Sequence, residues 1–316
     1  VWGFIAKEHF GNLKRLRLNS PGISSSFKKP YFFDGPIGAF TRDANGDGML
    51  DPNNQLVGGV ISPATTGDKV WLFLTMRRGG RAIYALDVSD PLVPKLLWRR
   101  GCPSFSTVPA DVDALTGCDL GWGELGQTWS EPKVVSINCT ASPCGATDPV
   151  LMFGAGYDPL VADPDPSTVS ASTSTTVVSG GTTLNRSMGR GLYVVNAAAG
   201  AIIWQARGSA RVDGSSHAYK VVSGMDYAIP SDIAVVVGDT TQPKPFRAYV
   251  GDTGGQMWRF DFGDASPANW SVVRLASIAD PTTTATYTDP ITSATRTVLP
   301  GLRQFQFAPD VVGATG

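Results

Sequence analysis

An acidic loop at positions 43–51, D-A-N-G-D-G-M-L-D, carries the residues best suited to chemistry. Oxygen-bearing side chains alternate along it around a glycine that can turn the chain sharply, and a hard cation with oxygen ligands requires such an arrangement. We therefore expect a Ca²⁺ ion in this loop. The expected ligands are four side-chain oxygens and one backbone carbonyl, from Asp43, Asn45, Asp47 and Asp51 and, through the carbonyl, Met49.

The sequence also predicts the conformation of this loop. Gly48 is expected to take a positive φ, which lets both limbs of the loop wrap around one point. A helix-loop-helix calcium site would have a bidentate Glu at its twelfth position, but that residue is Asn54, and Pro52 disfavours a helix directly after the loop. We expect the loop to lie between strands and to bind Ca²⁺ with reduced affinity. The alternative is an acidic β-turn without a metal.

The inventory of catalytic groups is small. The two histidines are His9 and His217, and neither has a Gly-flanked Ser or a metal-ligand partner at a useful spacing. We expect both to be surface or structural residues and the chain not to be an enzyme. Carboxylates beside turns are expected to accept hydrogen bonds from backbone N–H groups; these are Asp87, Glu124, Glu131, Asp232 and Asp252.

Four cysteines fall into two local pairs. Four cysteines allow three pairings, but both intervening segments are turn-rich and lack the companions of a zinc site. We therefore expect the disulfides Cys102–Cys118 and Cys139–Cys144, which indicate an oxidising compartment. Four unrelated free thiols are the alternative.

Composition limits the class of protein. The 316 residues are 42% hydrophobic, and 36 Gly and 23 Pro with no long helical pattern favour an all-β fold of short strands and many turns. A net charge of −1 without a basic run gives no support for nucleic-acid binding. No stretch is long and apolar enough for a membrane span.

The chain repeats a strand, a tight turn and a second strand that carries a Trp. Two copies begin at residues 80 and 189, and a compressed third copy covers 246–262. Each has Tyr or aliphatic residues in a short β run, an Asp or Asn at the turn, and then Trp98, Trp204 or Trp258. We expect these tryptophans to be core residues packed between sheets.

A second repeated element opens each unit, and the whole reads as a β-propeller of four-stranded blades. The openings are at 31–39, 128–135, 227–236 and 307–312, and one unit is expected to contain strands at 128–137, 149–156, 190–196 and 201–206. We expect one partial propeller over 1–316, incomplete at both ends and belonging to a longer polypeptide. Its blades are expected at 31–100, 127–208 and 225–276, with partial blades at 1–25 and 302–316.

Long insertions are expected in the loops of this propeller. Residues 101–126 carry one cysteine pair, and residues 157–188 are too polar for a core and are predicted to form a mobile surface loop. The segment 6–17 looks helical, and its cations are expected to form a solvated face.

Several motifs follow one another along the chain in a specific order. They are V-W-G-F-I-A-K-E-H-F-G-N-L-K-R-L, G-G-R-A-I-Y-A-L-D-V-S-D-P, L-G-Q-T-W-S-E-P-K-V, L-M-F-G-A-G-Y-D, G-L-Y-V-V-N-A-A-A-G, I-P-S-D-I and Y-V-G-D-T-G-G-Q-M-W-R-F-D. Their order resembles the C-terminal propeller of the PilC/PilY family, whose members act in type IV pilus assembly and pilus-tip adhesion. The similarity extends over nearly the whole chain.

This resemblance implies an exported protein of a Gram-negative bacterium, in the periplasm, the outer membrane or the pilus tip. It implies control of pilus extension and retraction linked to calcium, contacts with minor pilins or the pilus-tip complex, and host or surface ligands bound through regions outside this segment. One departure is the loop at 238–246, which lacks the alternating carboxylates of a second calcium site expected in the family.

Two other classes share parts of this pattern. Quinoprotein alcohol dehydrogenases, which use pyrroloquinoline quinone, have similar blades, but they often carry an adjacent Cys-Cys pair that this chain lacks. A carbohydrate-binding propeller would use surface tryptophans, and its best candidates are Trp122 and Trp129.

Overall fold

The computed structural model describes the chain in segments separated by gaps. They are residues 2–24, 29–44, 46, 48, 50, 56–57, 60–61, 67–102, 118–139, 144, 149–158, 176–179, 182–185, 188–208, 215–237, 245–278, 285–288, 293–298 and 304–311. Within these segments the protein is mostly β, as the sequence predicts, with three sheets of four or five strands.

The strands are numbered in chain order. They are β1 (Ile37–Arg42), β2 (Leu56–Val57), β3 (Val60–Ile61), β4 (Lys69–Leu74), β5 (Ala82–Asp87), β6 (Lys95–Gly101), β7 (Lys133–Val135), β8 (Val150–Gly154), β9 (Thr176–Ser179), β10 (Thr182–Asn185), β11 (Gly191–Asn196), β12 (Ile202–Arg207), β13 (Ala218–Val221), β14 (Ala234–Val237), β15 (Pro245–Gly251), β16 (Gln256–Asp261), β17 (Ser271–Ser277), β18 (Ala285–Thr288) and β19 (Thr295–Val298). The helix α1 (Phe10–Leu18) follows a 3-10 turn at Lys7–His9, and two further 3-10 turns lie at Arg77–Gly79 and Pro267–Asn269.

Three larger sheets contain most of these strands. Sheet 1 has the order β1-β4-β5-β6, sheet 2 the order β13-β12-β11-β8-β7, and sheet 3 the order β14-β15-β16-β17. Neighbouring strands are antiparallel, except that β13 adds to β12 in parallel. The four strands predicted for the second unit are confirmed, since β7, β8, β11 and β12 overlap the four expected ranges.

The three copies of the strand-turn-strand repeat do not occupy the same place in their sheets. Trp98 and Trp204 lie on β6 and β12, the fourth strands of their units, but Trp258 lies on β16, the third strand of sheet 3. The reason is chemical: an Asp or Asn followed by small residues closes any tight hairpin, so the pattern marks a turn and not its position in a sheet. All three tryptophans are core residues, as expected.

Sheet 2 lies between the other two sheets and is buried on both faces. On one face Phe153 and Tyr193 share a hydrophobic cluster with Phe73 and Trp98 of sheet 1. On the other face the alternate residues, Met152 and Val194 among them, share a cluster with Trp258 and Phe260 of sheet 3. Successive side chains of a strand point to opposite faces, so β8, β11 and β12 are apolar at nearly every position because both faces are covered.

A tryptophan of sheet 1 docks on the β11–β12 turn of sheet 2. The Trp98 indole Nε1 donates a hydrogen bond to the Ala197 carbonyl at 2.8 Å. Gly200, in the same turn, has φ +65°, and a Cβ at this position would lie 2.7 Å from the Trp98 ring atom Cδ2. Only a glycine therefore combines this backbone conformation with so close a contact.

The predicted openings lead into the first strands of the three sheets and also join neighbouring sheets. Segments 31–39, 128–135 and 227–236 run into β1, β7 and β14. Each later opening bonds to the residues that follow the second strand of the preceding sheet. The backbone bonds are Arg77 N to Thr128 O, Gly156 N to Ile229 O and, for the segment 304–311, Phe305 N to Asp252 O, each 3.0 Å long.

The segment before β1 covers the outer face of sheet 1. Phe4 and Phe33 pack on Tyr84, whose hydroxyl donates a hydrogen bond to Glu8. Arg99 pairs with the same carboxylate at 3.0 Å. The helix predicted at 6–17 is confirmed as the 3-10 turn and α1, and no residue of α1 is buried, so its cations are solvated as expected.

Among the described residues, no helix is both long and apolar enough to cross a membrane.

Two predicted insertions differ from the simple loops that the sequence suggests. Residues 103–117 lie outside the described residues, but Trp122 and Leu125 are fully buried between sheets 1 and 2. In the polar stretch 157–188, β9 and β10 pair as a short hairpin, while residues 159–175 lie outside the described residues. The first segment therefore contributes to the core, and the second contains regular structure because its Thr and Val residues favour strands.

Candidate functional site

The acidic loop begins at the end of β1 and precedes β2, so its predicted position between strands is confirmed. Of the five predicted ligands, Asp43 is described. Asn45, Asp47, Met49 and Asp51 lie outside the described residues. In the part of the chain that the structure describes, no group of three or more His, Cys, Asp or Glu side chains could hold a metal. The calcium assignment therefore stays a prediction.

Asp43 organises the first half of the loop. Its Oδ1 accepts a hydrogen bond from Gly46 N at 2.6 Å, and its Oδ2 accepts one from Gly48 N at 2.8 Å. Gly48 has φ +82°, which confirms the predicted positive value, and Gly46 also has a positive φ of +74°. Each carboxylate oxygen has a second lone pair, so Asp43 can hold the turn and still ligate a cation.

A second carboxylate stands at the base of the loop, and the sequence analysis did not identify it. Asp68 is buried, and its Oδ1 accepts a hydrogen bond from Ala44 N at 2.7 Å. The pairing of β1 with β4 places it there, because Arg42 lies opposite Lys69 and the residues beyond them meet at the loop base. The antiparallel pairing of β1 with β4 is the information that would have placed Asp68 beside the acidic loop.

Both predicted disulfides are confirmed. Cys102 pairs with Cys118, 16 residues apart, and Cys139 pairs with Cys144, five residues apart. The first bond brings the following Asp119 back to the end of β6, where its carboxylate accepts a hydrogen bond from Gly101 N and pairs with Arg99 at 3.2 Å. The second lies in the connection between β7 and β8, with Cys139 in the core. Structural disulfides of this kind indicate an oxidising compartment.

The two histidines have structural surroundings. His9 is buried, and its ring lies 4.8 Å from that of Phe32. Burial lowers the pKa of His9, and the neighbouring Glu8 opposes this effect. His217 is half-buried, with its Nε2 3.3 Å from Gln205 Oε1.

Four of the five carboxylates accept hydrogen bonds from backbone N–H groups as expected; they are Asp87, Glu124, Asp232 and Asp252. Asp87 accepts from Ser89 N at 3.0 Å, and Asp232 accepts from Glu131 N at 2.6 Å, which links the openings of sheets 2 and 3. Asp252 accepts from two backbone N–H groups of its own turn, each at 2.9 Å, and from the Trp258 indole at 2.7 Å. Burial raises the pKa of Asp252 to about 6, although these hydrogen bonds act in the opposite direction.

Glu124 and Glu131 form ion pairs, which were not predicted. Glu124 is buried between two arginines, Arg190 and Arg207, each 3.5 Å away, and it also accepts from Arg190 N. Glu131 pairs with Lys133 at 2.7 Å. Arg190 and Arg207 are distant in sequence from Glu124, so local turn chemistry could not reveal these ion pairs.

The tryptophans named for a carbohydrate site have different surroundings. Trp122 is 2% exposed and stacks on Tyr193 with 5.2 Å between ring centroids, so it is a core residue and the surface role is wrong. Trp129 is half-buried and lies against Tyr157 at 5.2 Å.

No family model and no curated protein matches the sequence. Solved structures do match, among them the crystal structure of the Pseudomonas aeruginosa PilY1 C-terminal domain. This chain is similar to that domain. The sequence identity is 18% and the TM-score 0.43, and the match covers 82% of this chain. It spans 39% of the length of that chain.

Proposed function

We propose that the chain is a calcium-binding, non-enzymatic part of a type IV pilus assembly or tip protein, folded as part of a β-propeller, that regulates pilus extension and retraction and contributes to adhesion. The observation that carries the calcium part is the loop after β1, where one carboxylate organises two left-handed glycines. The pilus part is supported by the ordered motifs of the PilC/PilY type. The function is exerted through contacts with minor pilins or the pilus-tip complex.

The relation between successive sheets supports a propeller. Sheets 1, 2 and 3 follow one another in the chain and in the stack, and the first strands β1 and β7 are in contact. The same kind of bond joins each later opening to the residues after the second strand of the preceding sheet. A repeated unit with a repeated neighbour contact generates a regular array, and a propeller is the array built from four-stranded antiparallel units.

The surroundings of the loop support calcium binding. A loop that carries several carboxylates is unfavourable without a cation, because like charges repel at short distance. The β1–β4 pairing and the Asp68 bond to Ala44 N hold the base of the loop, so part of its ordering is complete before an ion binds. A rigid base lowers the entropy lost on binding.

The contacts of the titratable groups support a non-enzymatic role. In the described residues, Asp252 closes a turn, Glu124 neutralises two arginines, and His9 packs in a cluster of aromatic rings. These groups have structural partners instead of the nucleophile, base and orienting group of a catalytic site. Both cysteine pairs join residues that are apart in sequence, unlike the adjacent pair of the quinoprotein enzymes.

Titration calorimetry with CaCl₂ tests the calcium site. We expect one binding site in the wild-type chain and none in the double variant Asp47→Ala, Asp51→Ala, because two of the expected ligands are removed. At a Ca²⁺ concentration about 100 times the Kd, binding to the folded form should stabilise the wild type by about 2.7 kcal/mol.

Asp90→Ala is the matched control, since Asp90 is a half-buried turn carboxylate outside the loop. It removes one acidic charge and should leave calcium binding unchanged. Equal heats for the wild type and the double variant would contradict the assignment.

A further inference from the structure

Five side chains from four segments converge where the openings of sheets 1 and 2 meet the β4–β5 turn. The guanidinium of Arg77 lies 5.4 Å from the Trp129 ring centroid. That of Arg78 lies 5.9 Å from the same ring and 5.5 Å from the ring of Tyr31. Trp129 also contacts Tyr157. We call this group the arginine–aromatic platform; its members are Tyr31, Arg77, Arg78, Trp129 and Tyr157.

The backbone fixes the platform in place. Arg77 has φ +45°, a left-handed conformation that a residue with a Cβ adopts only at a cost in free energy. Its N–H donates to Thr128 O at 3.0 Å, directly before Trp129. In the same turn a Cβ at Gly79 would lie 1.7 Å from Phe32 O, so the turn is packed tightly against the segment that carries Tyr31. Strained residues held by their surroundings are frequent at ligand sites.

The charges of the platform are not neutralised by ion pairs. Within the described residues, neither Arg77 nor Arg78 forms a salt bridge, although Asp34 lies within electrostatic reach of Arg78. Arg78 is exposed and donates one hydrogen bond, at 3.2 Å, to the Tyr31 hydroxyl. The Nε of Arg77 is buried and has no hydrogen-bond partner in the described structure. Lys29 adds a further positive charge, with its Nζ 5.3 Å from the ring of Tyr31.

This arrangement selects the chemistry of a ligand. A guanidinium that packs against an aromatic ring keeps N–H donors at its edge, and these donors match a carboxylate in a two-point hydrogen bond. The Trp129 ring already contacts two guanidiniums and Tyr157, so little of it is left for stacking against a sugar. The groups that the platform offers are therefore N–H donors and positive charge.

We propose that the arginine–aromatic platform binds carboxylates of an acidic peptide segment in a partner protein. Two adjacent arginines can receive two neighbouring carboxylates of one chain, which favours a peptide over an isolated acid. The inference stands on these contacts and is independent of the calcium loop and of the pilus assignment.

Titration calorimetry with an N-acetylated tetraglutamate peptide tests the proposal on the full chain. We expect Arg78→Gln to raise the Kd about tenfold or more, since a charge-assisted hydrogen bond and an exposed charge are lost. Arg78→Lys should also weaken binding because it loses the planar donor pair. Binding should become weaker as salt increases.

Lys220→Gln is the matched control, since Lys220 is an exposed cation on β13. This strand forms the edge of sheet 2 opposite β7. It should leave the Kd unchanged, and thermal melts should show all variants folded. Three results would overturn the proposal: no binding by the wild type, equal weakening by Arg78→Gln and Lys220→Gln, or equal binding of a tetraglutamine peptide. Tighter binding of an oligogalacturonate, lost in Arg78→Gln, would assign the platform to an acidic sugar instead.

Discussion

At the scale of single residues, short polar side chains determine the turns of this protein. Asn196 illustrates the pattern, because its Oδ1 accepts from Ala198 N and Ala199 N at 2.9 Å and so begins the turn on which Trp98 docks. Asp43 and Asp252 act in the same way. This behaviour is predictable from sequence, since the bonds are local.

Asp252 makes the stability of the fold depend on pH. Burial raises its pKa from 3.8 to about 6, so between these values the folded state binds more protons than the unfolded state. The contribution of Asp252 is therefore fully present below pH ~4 and is lost as pH rises through about 6. In the wild type, this titration should lower the free energy of unfolding by on the order of 2–3 kcal/mol as pH rises. We expect Asp252→Asn to remove this pH dependence.

Urea unfolding of the wild type and Asp252→Asn at several pH values between 4 and 7 measures this effect. The variant is expected to be less stable at pH 4, because the Asn side chain has a single acceptor oxygen. Its amide nitrogen is a donor, so it cannot accept from the backbone with one atom and from the Trp258 indole with the other. Its stability should change less with pH than that of the wild type. Parallel curves for the two proteins would show that Asp252 does not titrate in this range.

Other residues were not predictable from local sequence. The carboxylate of Asp68 reaches the acidic loop through strand pairing, and that of Glu124 meets arginines 66 and 83 residues away. Gly48 and the two cysteine pairs were predicted correctly because their signals are short-range in sequence, with the paired cysteines 16 and five residues apart. The sequence therefore reveals the start of the candidate site, and the tertiary fold supplies its base.

At the scale of elements, the strands of the second unit could be predicted because each is a short apolar run bounded by turn residues. The third copy of the repeat lies one strand earlier in its sheet than the other two copies, and the sequence could not predict this because a turn motif does not specify which hairpin of a sheet it closes. The parallel strand β13 was also not predicted, because parallel neighbours are not joined by a tight hairpin whose turn residues could reveal the pairing. Turns are local, whereas strand order depends on contacts between distant segments.

The contact of Trp98 with the β11–β12 turn should contribute measurably to stability. We expect Gly200→Ala to destabilise the fold by about 1–3 kcal/mol or more, because alanine disfavours φ +65° and its Cβ would collide with the Trp98 ring. Urea unfolding followed by Trp fluorescence measures the change.

Gly263→Ala provides the control for this substitution, since a Cβ there would meet no atom within 4 Å. It should change the free energy of unfolding by less than about 0.5 kcal/mol. If the two variants were equally stable, the docking of sheet 1 on sheet 2 through Gly200 would be unsupported.

At the scale of the whole molecule, three sheets stack in the order of the chain and each later opening bonds to the sheet before it. The all-β class and the core role of the tryptophans were predictable from composition and spacing. The burial of the segment after Cys118 was not, because Trp122 and Leu125 stand among turn residues whose sequence looks like a surface loop. The stack brings β1, which leads into the acidic loop, into contact with β7 of the next sheet.

Surface piliation in the bacterium that encodes this protein tests the central claim most directly. Chromosomal Asp47→Ala and Asp47→Lys variants would be compared with the wild type for sheared surface pili and twitching motility, with the amount of the protein in the cell envelope measured in parallel. We expect near-normal protein levels in both variants, altered piliation in Asp47→Ala, and partial recovery in Asp47→Lys, whose fixed positive charge replaces that of the ion. An ion shifts a conformational equilibrium only through different affinities for the two states. Loss of the protein from the envelope in both variants would contradict regulation by calcium and leave the ion a structural role.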